Sequence, residues 1–392
     1  MRAETDLILR CVCPELVADT DDRIRELLQQ NIDWDALLGL ARLHGTEAPL
    51  ASALDGYAEV VPPTFREQLQ ARIRENTELN RLLCSMLFDL MPRLEEIGVP
   101  MIPFKGPEMG VALYGSLEQR PFSDIDIFIE ARDARAVIDL LTGHGYGLKY
   151  GGAWNEAEFR WNHGETMVSA ESNREVDVHW DIMSYRAFGC KFRFDQLWER
   201  RTVVTLLDKQ IPCPSLEDLF LILCVHGSKH RWILLKWIRD IAVLTDHESE
   251  IDWKALKRRA SHMGATRMVE LSLHLVHELL GVNPPEGALR EFPANGTVRS
   301  LAGDIRAYLV AGMEYAPPGR ERHQFYLRMR ERLRDRIRFS LYLAKRSSDP
   351  TRWHVPLPAF FSLLFSVAWP FWLLKKRTVR LLTQVRSRLV RS

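Results

Sequence analysis

An apolar segment that carries two aspartates is the feature that most constrains this chain. Residues 124–129, Asp-Ile-Asp-Ile-Phe-Ile, have the composition of a buried β-strand, and Asp124 and Asp126 lie two positions apart. Side chains at that spacing point to the same face of a strand, roughly 7 Å from each other. Two such carboxylates can share one or two divalent cations. The segment therefore predicts a metal site at the start of a strand.

A third acid fits the same site. Asp177 lies in a second strand-like segment, Glu-Val-Asp-Val-His, where two valines flank it. A carboxylate that faces a packed interior costs free energy unless a partner compensates it, and a metal or a water-filled cleft would do so. The aspartate pair alone is also compatible with solvent-facing strand positions, but the second acidic strand favours a shared site. His179, on the same strand face as Asp177, is expected to support the metal ligands.

Hydrophobic periodicity divides the chain into four parts. Residues 1–97 predict a helical region, residues 98–206 a core of strands and helices, and residues 207–350 a second helical region. Residues 351–392 form an apolar, aromatic and then basic tail. We expect an α+β fold with a small mixed-sheet core between N- and C-terminal helical regions. The basic segment 320–346 reads as one solvated helix.

Composition excludes several classes of protein. The 392 residues carry a formal net charge of +1, which gives no general attraction to nucleic acid. The six cysteines lack C-x-x-C spacing, so neither a zinc site nor a disulfide scaffold is predicted. No basic motif interleaved with aromatic residues is present, so nucleic acid is not an expected partner. The first residues lack the apolar region of a secretory signal, and we expect a cytoplasmic protein.

The residues around the aspartate pair resemble a known family. Residues 104–146, FKGPEMGVALYGSLEQRPFSDIDIFIEARDARAVIDLLTGHGY, are similar to the bacterial uncharacterised nucleotidyltransferases of the DNA polymerase beta-like superfamily. In that family the motifs L-K-G, Y-G, R-P-x-x-D-x-D and L-x-x-x-G-Y recur in this order. The flanking segments LLGLARLHGTEAPL, VDVHWD, LEDLFLILCVHGSKHRW and WIRDIAVL also resemble it. The likeness covers about residues 35–375.

The resemblance implies a magnesium-dependent nucleotidyltransferase. Such an enzyme moves a nucleoside monophosphate from a nucleoside triphosphate, here expected to be ATP, to a hydroxyl of an acceptor that the sequence does not identify, and releases pyrophosphate. Asp124, Asp126 and Asp177 would be the catalytic residues and would hold Mg²⁺ or Mn²⁺. The residues that would bind the nucleotide are Lys105, Gly106, Ser116, Arg120 and Ser123. Those expected near the cleft are His179, His226, Lys229, His230 and Asp240.

Several of these roles leave alternatives open. Lys105 and Arg120 are expected either to contact phosphate oxygens or to form structural ion pairs. His226 and His230 have a spacing that can bind zinc, but the glutamate of the H-E-x-x-H motif is missing. A role in closing the cleft or in packing is therefore expected for the two histidines.

Pro107 departs from the family pattern, which has a small residue at this turn. Proline offers a phosphate neither an N–H nor a hydroxyl, although it suits the first turn of a helix. Two functional classes therefore remain: an active nucleotidyltransferase, which the three aspartates favour, and a catalytically degenerate nucleotide-binding or scaffold protein of the same fold, which Pro107 favours.

The tail contains an uncharged run, residues 355–374, about as long as the ~20 residues that cross a bilayer. Pro356, Pro358 and Pro370 interrupt it, so a membrane-spanning helix is the least expected arrangement. Docking on the protein's own helical region is expected first. The alternative is peripheral contact with an anionic membrane surface through residues 355–391, where aromatic residues precede a basic run.

Overall fold

The structure, a computed structural model, divides into two compact units between Glu331 and Arg332. It describes residues 2–14, 18–151, 159, 162–183, 189–310 and 319–347. The predictions for the tail at 351–392 fall outside these residues, and the four-part domain division stays a prediction. Over the described ranges, no helix combines the length and the apolar character that crossing a membrane requires.

Helices come first along the chain. They are α1 (Ala3–Cys11), α2 (Ala18–Leu28), α3 (Trp34–His44), α4 (Glu47–Leu54), a 3₁₀ turn (Asp55–Tyr57) and α5 (Pro63–Glu96). Asp33 caps α3 because its side chain accepts the Ala36 N–H at 2.9 Å. Helix α5 begins at Pro63, where a proline costs no hydrogen bond.

A mixed five-stranded sheet follows and confirms the predicted α+β class. Its strands are β1 (Ile102–Pro103), β2 (Asp124–Phe128), β3 (Tyr146–Leu148), β4 (Gly164–Ser169) and β5 (Glu175–His179), in the order β1-β2-β5-β4-β3. Helix α6 (Pro107–Tyr114) lies between β1 and β2 in sequence. A 3₁₀ turn (Ala131–Asp133) and α7 (Ala134–Gly143) follow β2.

The pairing of β2 with β5 is parallel, whereas β2 pairs with β1, and β4 with β3 and β5, in the antiparallel sense. In this register Asp126 lies opposite Asp177, and Asp124 lies opposite Glu175. Ile125 and Ile127 point to the other face of β2 and are fully buried. The strand thus buries its isoleucines and presents its aspartates on one face.

The chain continues through α8 (Phe194–Arg200) and a hairpin of β6 (Thr202–Leu206) and β7 (Lys209–Cys213). The later helices of the first unit are α9 (Leu216–Lys229), α10 (Leu235–Asp246), a 3₁₀ turn (Glu248–Glu250), α11 (Trp253–Met263), α12 (Thr266–Leu280), α13 (Glu286–Glu291), α14 (Gly296–Val310) and α15 (Gly319–Met329). The described part of the second unit contains α16 (Leu333–Ser347). Ser215 caps α9, since its hydroxyl accepts the Asp218 N–H.

The prediction of one helix over residues 320–346 is wrong. The chain leaves the helical conformation between Met329 and Leu333. Arg267 explains the end of α15, because its Nη1 donates to the carbonyl oxygens of Arg328 and Arg330 at 2.8 and 2.9 Å. Arg267 thus donates to carbonyl oxygens at the point where the sequence pattern alone predicts that the helix continues.

Asn80 of α5 holds the loop that leads into β2. Its Nδ2 donates to the carbonyl oxygens of Leu117 and Arg120 at 2.7 and 2.8 Å, and its Oδ1 accepts the Phe122 N–H at 3.1 Å. Asn80 is fully buried, so these three hydrogen bonds have no competition from solvent. The N-terminal helical region therefore fixes the backbone just before the two aspartates.

We predict that Asn80→Ala destabilises the protein by about 2–4 kcal/mol, because it leaves buried backbone groups without partners. Chemical denaturation of the full chain measures the effect. The control is Glu78→Ala, an exposed position on the same helix, which should change stability by less than about 0.5 kcal/mol. Equal stabilities for the two variants would contradict this role of Asn80.

Candidate active site

Three aspartates line one cavity at the β2–β5 pair. The cavity has a volume of about 420 Å³. Its charged and titratable residues are Asp124, Asp126, Asp177, His163, His179, His226, His230, Lys105, Arg120, Lys229 and Lys236. A larger cavity of about 500 Å³ lies beside Arg231 and Tyr308, but its Asp304 is paired with Arg328 at 2.6 Å. The smaller cavity is therefore the candidate active site.

Three side chains of this cavity form a group suited to a metal ion. One ligand atom each from Asp126, Asp177 and His179 lie within 4.8 Å of one another, and no other such group occurs among the described residues. Asp124 is not part of this group, although it lines the same cavity. Its Oδ1 accepts a hydrogen bond from the Ser123 hydroxyl at 3.0 Å.

Asp126 carries a stable negative charge. Burial alone raises the pKa of this carboxyl, but the charge of Lys105 and the hydrogen bond from His179 outweigh burial and hold the pKa well below its usual range. Both partners contact Oδ1, Lys105 Nζ at 3.0 Å and His179 Nε2 at 2.8 Å. Lys105 has a φ of +65°, which is uncommon for a non-glycine residue and typical of functional turns.

The other two aspartates are less well compensated. Burial, and then the charge of Asp126, raise the pKa of Asp124 to about 6 and also raise the pKa of Asp177. Asp177 Oδ1 is buried and has no hydrogen-bond partner, which is costly for a carboxylate. An unpartnered buried oxygen, with carboxylate and imidazole donors beside it, fits a divalent cation.

The family of this chain can be identified from its sequence. Residues 30–281, more than half of the chain, match the family described as uncharacterised nucleotidyltransferase. The chain belongs to this nucleotidyltransferase family. The predicted enzyme class is therefore confirmed, and the reaction class is transfer of a nucleoside monophosphate. No curated protein matches the chain.

Two solved structures resemble this nucleotidyltransferase in part. One is the lincosamide antibiotic adenylyltransferase LnuA bound to lincomycin, with 24% identity over 34% of this chain and 82% of that chain, at a TM-score of 0.26. The other is the antibiotic-resistance factor ANT(2'')-Ia, with 13% identity over 50% of this chain and 97% of that chain, at a TM-score of 0.32. At these scores neither likeness bears on the acceptor of this nucleotidyltransferase.

Two of the basic residues predicted to bind the nucleotide form ion pairs within the protein. Lys105 contacts Asp126, and the Nε of Arg120 lies 2.8 and 3.0 Å from the two carboxylate oxygens of Asp240. Asp240 is fully buried and also accepts the Tyr114 hydroxyl at 2.7 Å. Of the two roles left open for Lys105 and Arg120, these contacts match the structural ion pair.

Glu108, which sequence reasoning did not single out, closes the turn at Pro107 with a hydrogen bond. The Gly106 N–H donates to Glu108 Oε1 at 2.8 Å, and Glu108 is fully buried. Burial raises the pKa of Glu108 to about 7. Pro107 occupies the first turn of α6, as expected. The Gly106 amide therefore already has an acceptor within the protein.

The predicted serines differ in position. Ser123 lines the cavity and donates to Asp124. Ser116 does not line it, and its hydroxyl instead accepts the Glu118 N–H at 3.0 Å. Of these two serines, the fold brings only Ser123 to the aspartates.

Four of the five predicted cleft residues line the cavity, namely His179, His226, Lys229 and His230, whereas Asp240 does not line it and is bonded to Arg120. The rings of His226 and His230 pack on Trp237, with centroid distances of 5.1 and 5.3 Å. Burial lowers the pKa of both histidines, to about 4 for His230, so both are neutral at neutral pH.

Sequence reasoning missed several lining residues. They are Phe122, His163, Leu234, Lys236 and Trp237. Trp237 begins a segment that resembles the family and Lys236 directly precedes it, but their place in the cavity depends on how α10 packs. The imidazole of His163 lies near that of His179, with ring centroids 5.8 Å apart.

We predict that Arg120→Met lowers stability by about 3–5 kcal/mol, because it leaves Asp240 buried without its counter-ion. Thermal denaturation measures the change. Arg74→Met, at an exposed position on α5, is the control and should have little effect. The double variant Arg120→Met/Asp240→Leu should recover part of the loss, since both charges are then removed. Unchanged stability together with weaker nucleotide binding would instead assign Arg120 to the phosphates.

Proposed function

We propose that this nucleotidyltransferase moves AMP from ATP to a hydroxyl of an acceptor and depends on a divalent cation, Mg²⁺ or Mn²⁺. The observation that carries the proposal is the placement of Asp126 directly opposite Asp177 in a cavity that Asp124 also lines. The choice of ATP and of a hydroxyl acceptor rests on the family resemblance. A cytoplasmic location and contact of the tail with a membrane surface stay predictions.

The residues present fit a metal-dependent reaction. Asp126 and Asp177, with Asp124 beside them, would hold the cation, and the unpartnered Asp177 Oδ1 supports this assignment. When bound, a divalent cation neutralises phosphate charge and stabilises the charge that develops on the transferred phosphoryl group. His179 and Lys105 would keep the Asp126 carboxylate ionised and fixed in orientation.

The proposed reaction is an in-line displacement. The acceptor oxygen forms a bond to the α-phosphorus, and the bond from this phosphorus to the oxygen bridging to the β-phosphorus breaks. Pyrophosphate leaves with the bonding electron pair, and the hydroxyl proton passes to Asp177. The rate gain comes from holding the two oxygens in line and from stabilising the phosphoryl charge.

We expect the wild type to transfer label from α-³²P-ATP to a component of a cell extract in the presence of Mg²⁺, and Asp126→Asn to lose this transfer by at least about a hundredfold, because one carboxylate charge at the cation is lost. Mass spectrometry of the labelled component would identify the acceptor by its added nucleoside monophosphate. Asp208→Asn, at an exposed loop position, should be unaffected.

Two results would contradict the proposal. Transfer that survives in Asp126→Asn would place the chemistry elsewhere. Nucleotide binding without transfer to any extract component would favour the degenerate nucleotide-binding alternative. The Gly106 amide, already bonded to Glu108, is the structural feature consistent with that alternative.

A further inference from the structure

Most groups that the sequence assigns to phosphate binding already have partners inside the protein. Lys105 is paired with Asp126, and Arg120 contacts both oxygens of Asp240. A triphosphate carries several negative charges, and phosphate oxygens require cations or N–H groups beside them. The cavity must therefore supply these from other residues.

Two lysines of the cavity keep their charge available. Among the described residues, neither Lys229 nor Lys236 forms an ion pair. Lys229 Nζ has only a long contact of 3.5 Å to His163 Nε2, and Lys236 Nζ donates to the Pro121 carbonyl oxygen at 3.3 Å. Both side chains line the cavity. An uncompensated ammonium in a cavity favours an anionic ligand there.

These lysines interact electrostatically with different aspartates of the cavity. The carboxylates that act electrostatically on Lys229 include Asp126 and Asp177, whereas Lys236 is influenced by Asp124. They come from adjacent helix ends, since Lys229 is the last residue of α9 and Lys236 lies in the first turn of α10. A polyphosphate between the two ammonium groups would lie beside the proposed metal ligands.

A turn from the N-terminal region fixes Lys236. Gly45 has a φ of +64° and ends α3, and a Cβ at this position would lie 2.9 Å from Cδ of Lys236. The lysine stem therefore packs directly on the glycine backbone. His44 accepts the Leu235 N–H at 3.4 Å, an otherwise unpaired donor at the start of α10. Burial lowers the pKa of His44 to about 4, so its ring is neutral and able to accept.

We propose that Lys229 and Lys236 bind the polyphosphate of the nucleoside triphosphate, and that the His44–Gly45 turn positions Lys236 for this contact. The inference rests on the proposed transfer function and names the residues that hold its donor substrate. It gives the N-terminal helical region a part in the active site. It also accounts for phosphate binding without the Gly106 amide, which is already bonded to Glu108.

Calorimetric titration with α,β-methylene-ATP and Mg²⁺, and separately with inorganic tripolyphosphate, tests the lysines. Lys229→Met and Lys236→Met keep the apolar stem and remove the charge. Each should weaken binding of both probes by about tenfold to a hundredfold, the loss expected for a hydrogen bond to a charged group. Lys254→Met, an exposed lysine of α11, is the matched control and should bind as the wild type does.

The wild type provides a second measurement that needs no variant. Burial, and then the nearby charge of Arg120, lower the pKa of Lys236 to about 8, while Asp240, Asp124 and Glu47 oppose this shift. The ammonium is therefore largely charged at neutral pH and is lost above pH 8. Tripolyphosphate affinity should fall as the pH rises through about 8 in the wild type, and this step should be missing in Lys236→Met.

Gly45→Ala tests the positioning role. It should weaken nucleotide binding in the wild type but cause no further loss in Lys236→Met, because the charge that the turn positions is then absent. Gly281→Ala is the control, since Gly281 has a similar φ of +72° and nothing within 4 Å of its Cβ position. It should lower thermal stability without changing nucleotide affinity. Equal losses from Gly45→Ala in both backgrounds would overturn the positioning role.

The outcomes separate this inference from the proposed reaction. Wild-type binding that is unchanged in the folded Lys229→Met and Lys236→Met variants overturns the inference and leaves the reaction standing. Lysine-dependent binding of both probes without transfer to any acceptor supports the inference and overturns the reaction. A wild type that binds neither probe overturns both.

Discussion

The parallel pairing of β2 with β5 is the constraint on which the rest of the candidate site depends. This pairing sets Asp126 against Asp177 and leaves Asp124 one step along the same face. A shift of the register by one residue would turn the aspartates into the core and expose the isoleucines. The fully buried Ile125, Ile127 and Val178 therefore fix the position of the carboxylates as well as the sheet.

Charge compensation then decides what each residue of the cavity can do. Burial, and then the repulsion from Asp126, raise the pKa values of Asp124 and Asp177, whereas Lys105 and His179 hold the pKa of Asp126 low. Lys105 and Arg120 already neutralise buried carboxylates, so they have less positive charge available for a ligand. The uncommitted charge lies on Lys229 and Lys236, from helices outside the sheet. In our account the sheet would hold the cation and the helical regions would hold the nucleotide.

The sequence predicted the parts of this arrangement that depend on local patterns. Alternating residues identified β2 and β5 with their aspartates, and Pro107 marked the first turn of α6. Contacts between distant residues could not be predicted in the same way. Arg120 is paired with Asp240, which lies 120 residues further along the chain. Arg267 ends α15 by donating to a carbonyl oxygen of its last turn. Lys236 lines the cavity with its stem packed on the turn at Gly45, and no periodicity encodes that contact.

The most direct test of the central claim is electron paramagnetic resonance of Mn²⁺ titrated with the protein and α,β-methylene-ATP. Our account predicts that the wild type with nucleotide removes the signal of free Mn²⁺ at a ratio of one or two ions per chain, as a shared carboxylate site would. Asp177→Asn, which removes the charge of the carboxylate whose Oδ1 has no hydrogen-bond partner, should weaken this binding at least about tenfold. Equal Mn²⁺ binding by the wild type and Asp177→Asn would contradict the assignment of these aspartates to a metal site.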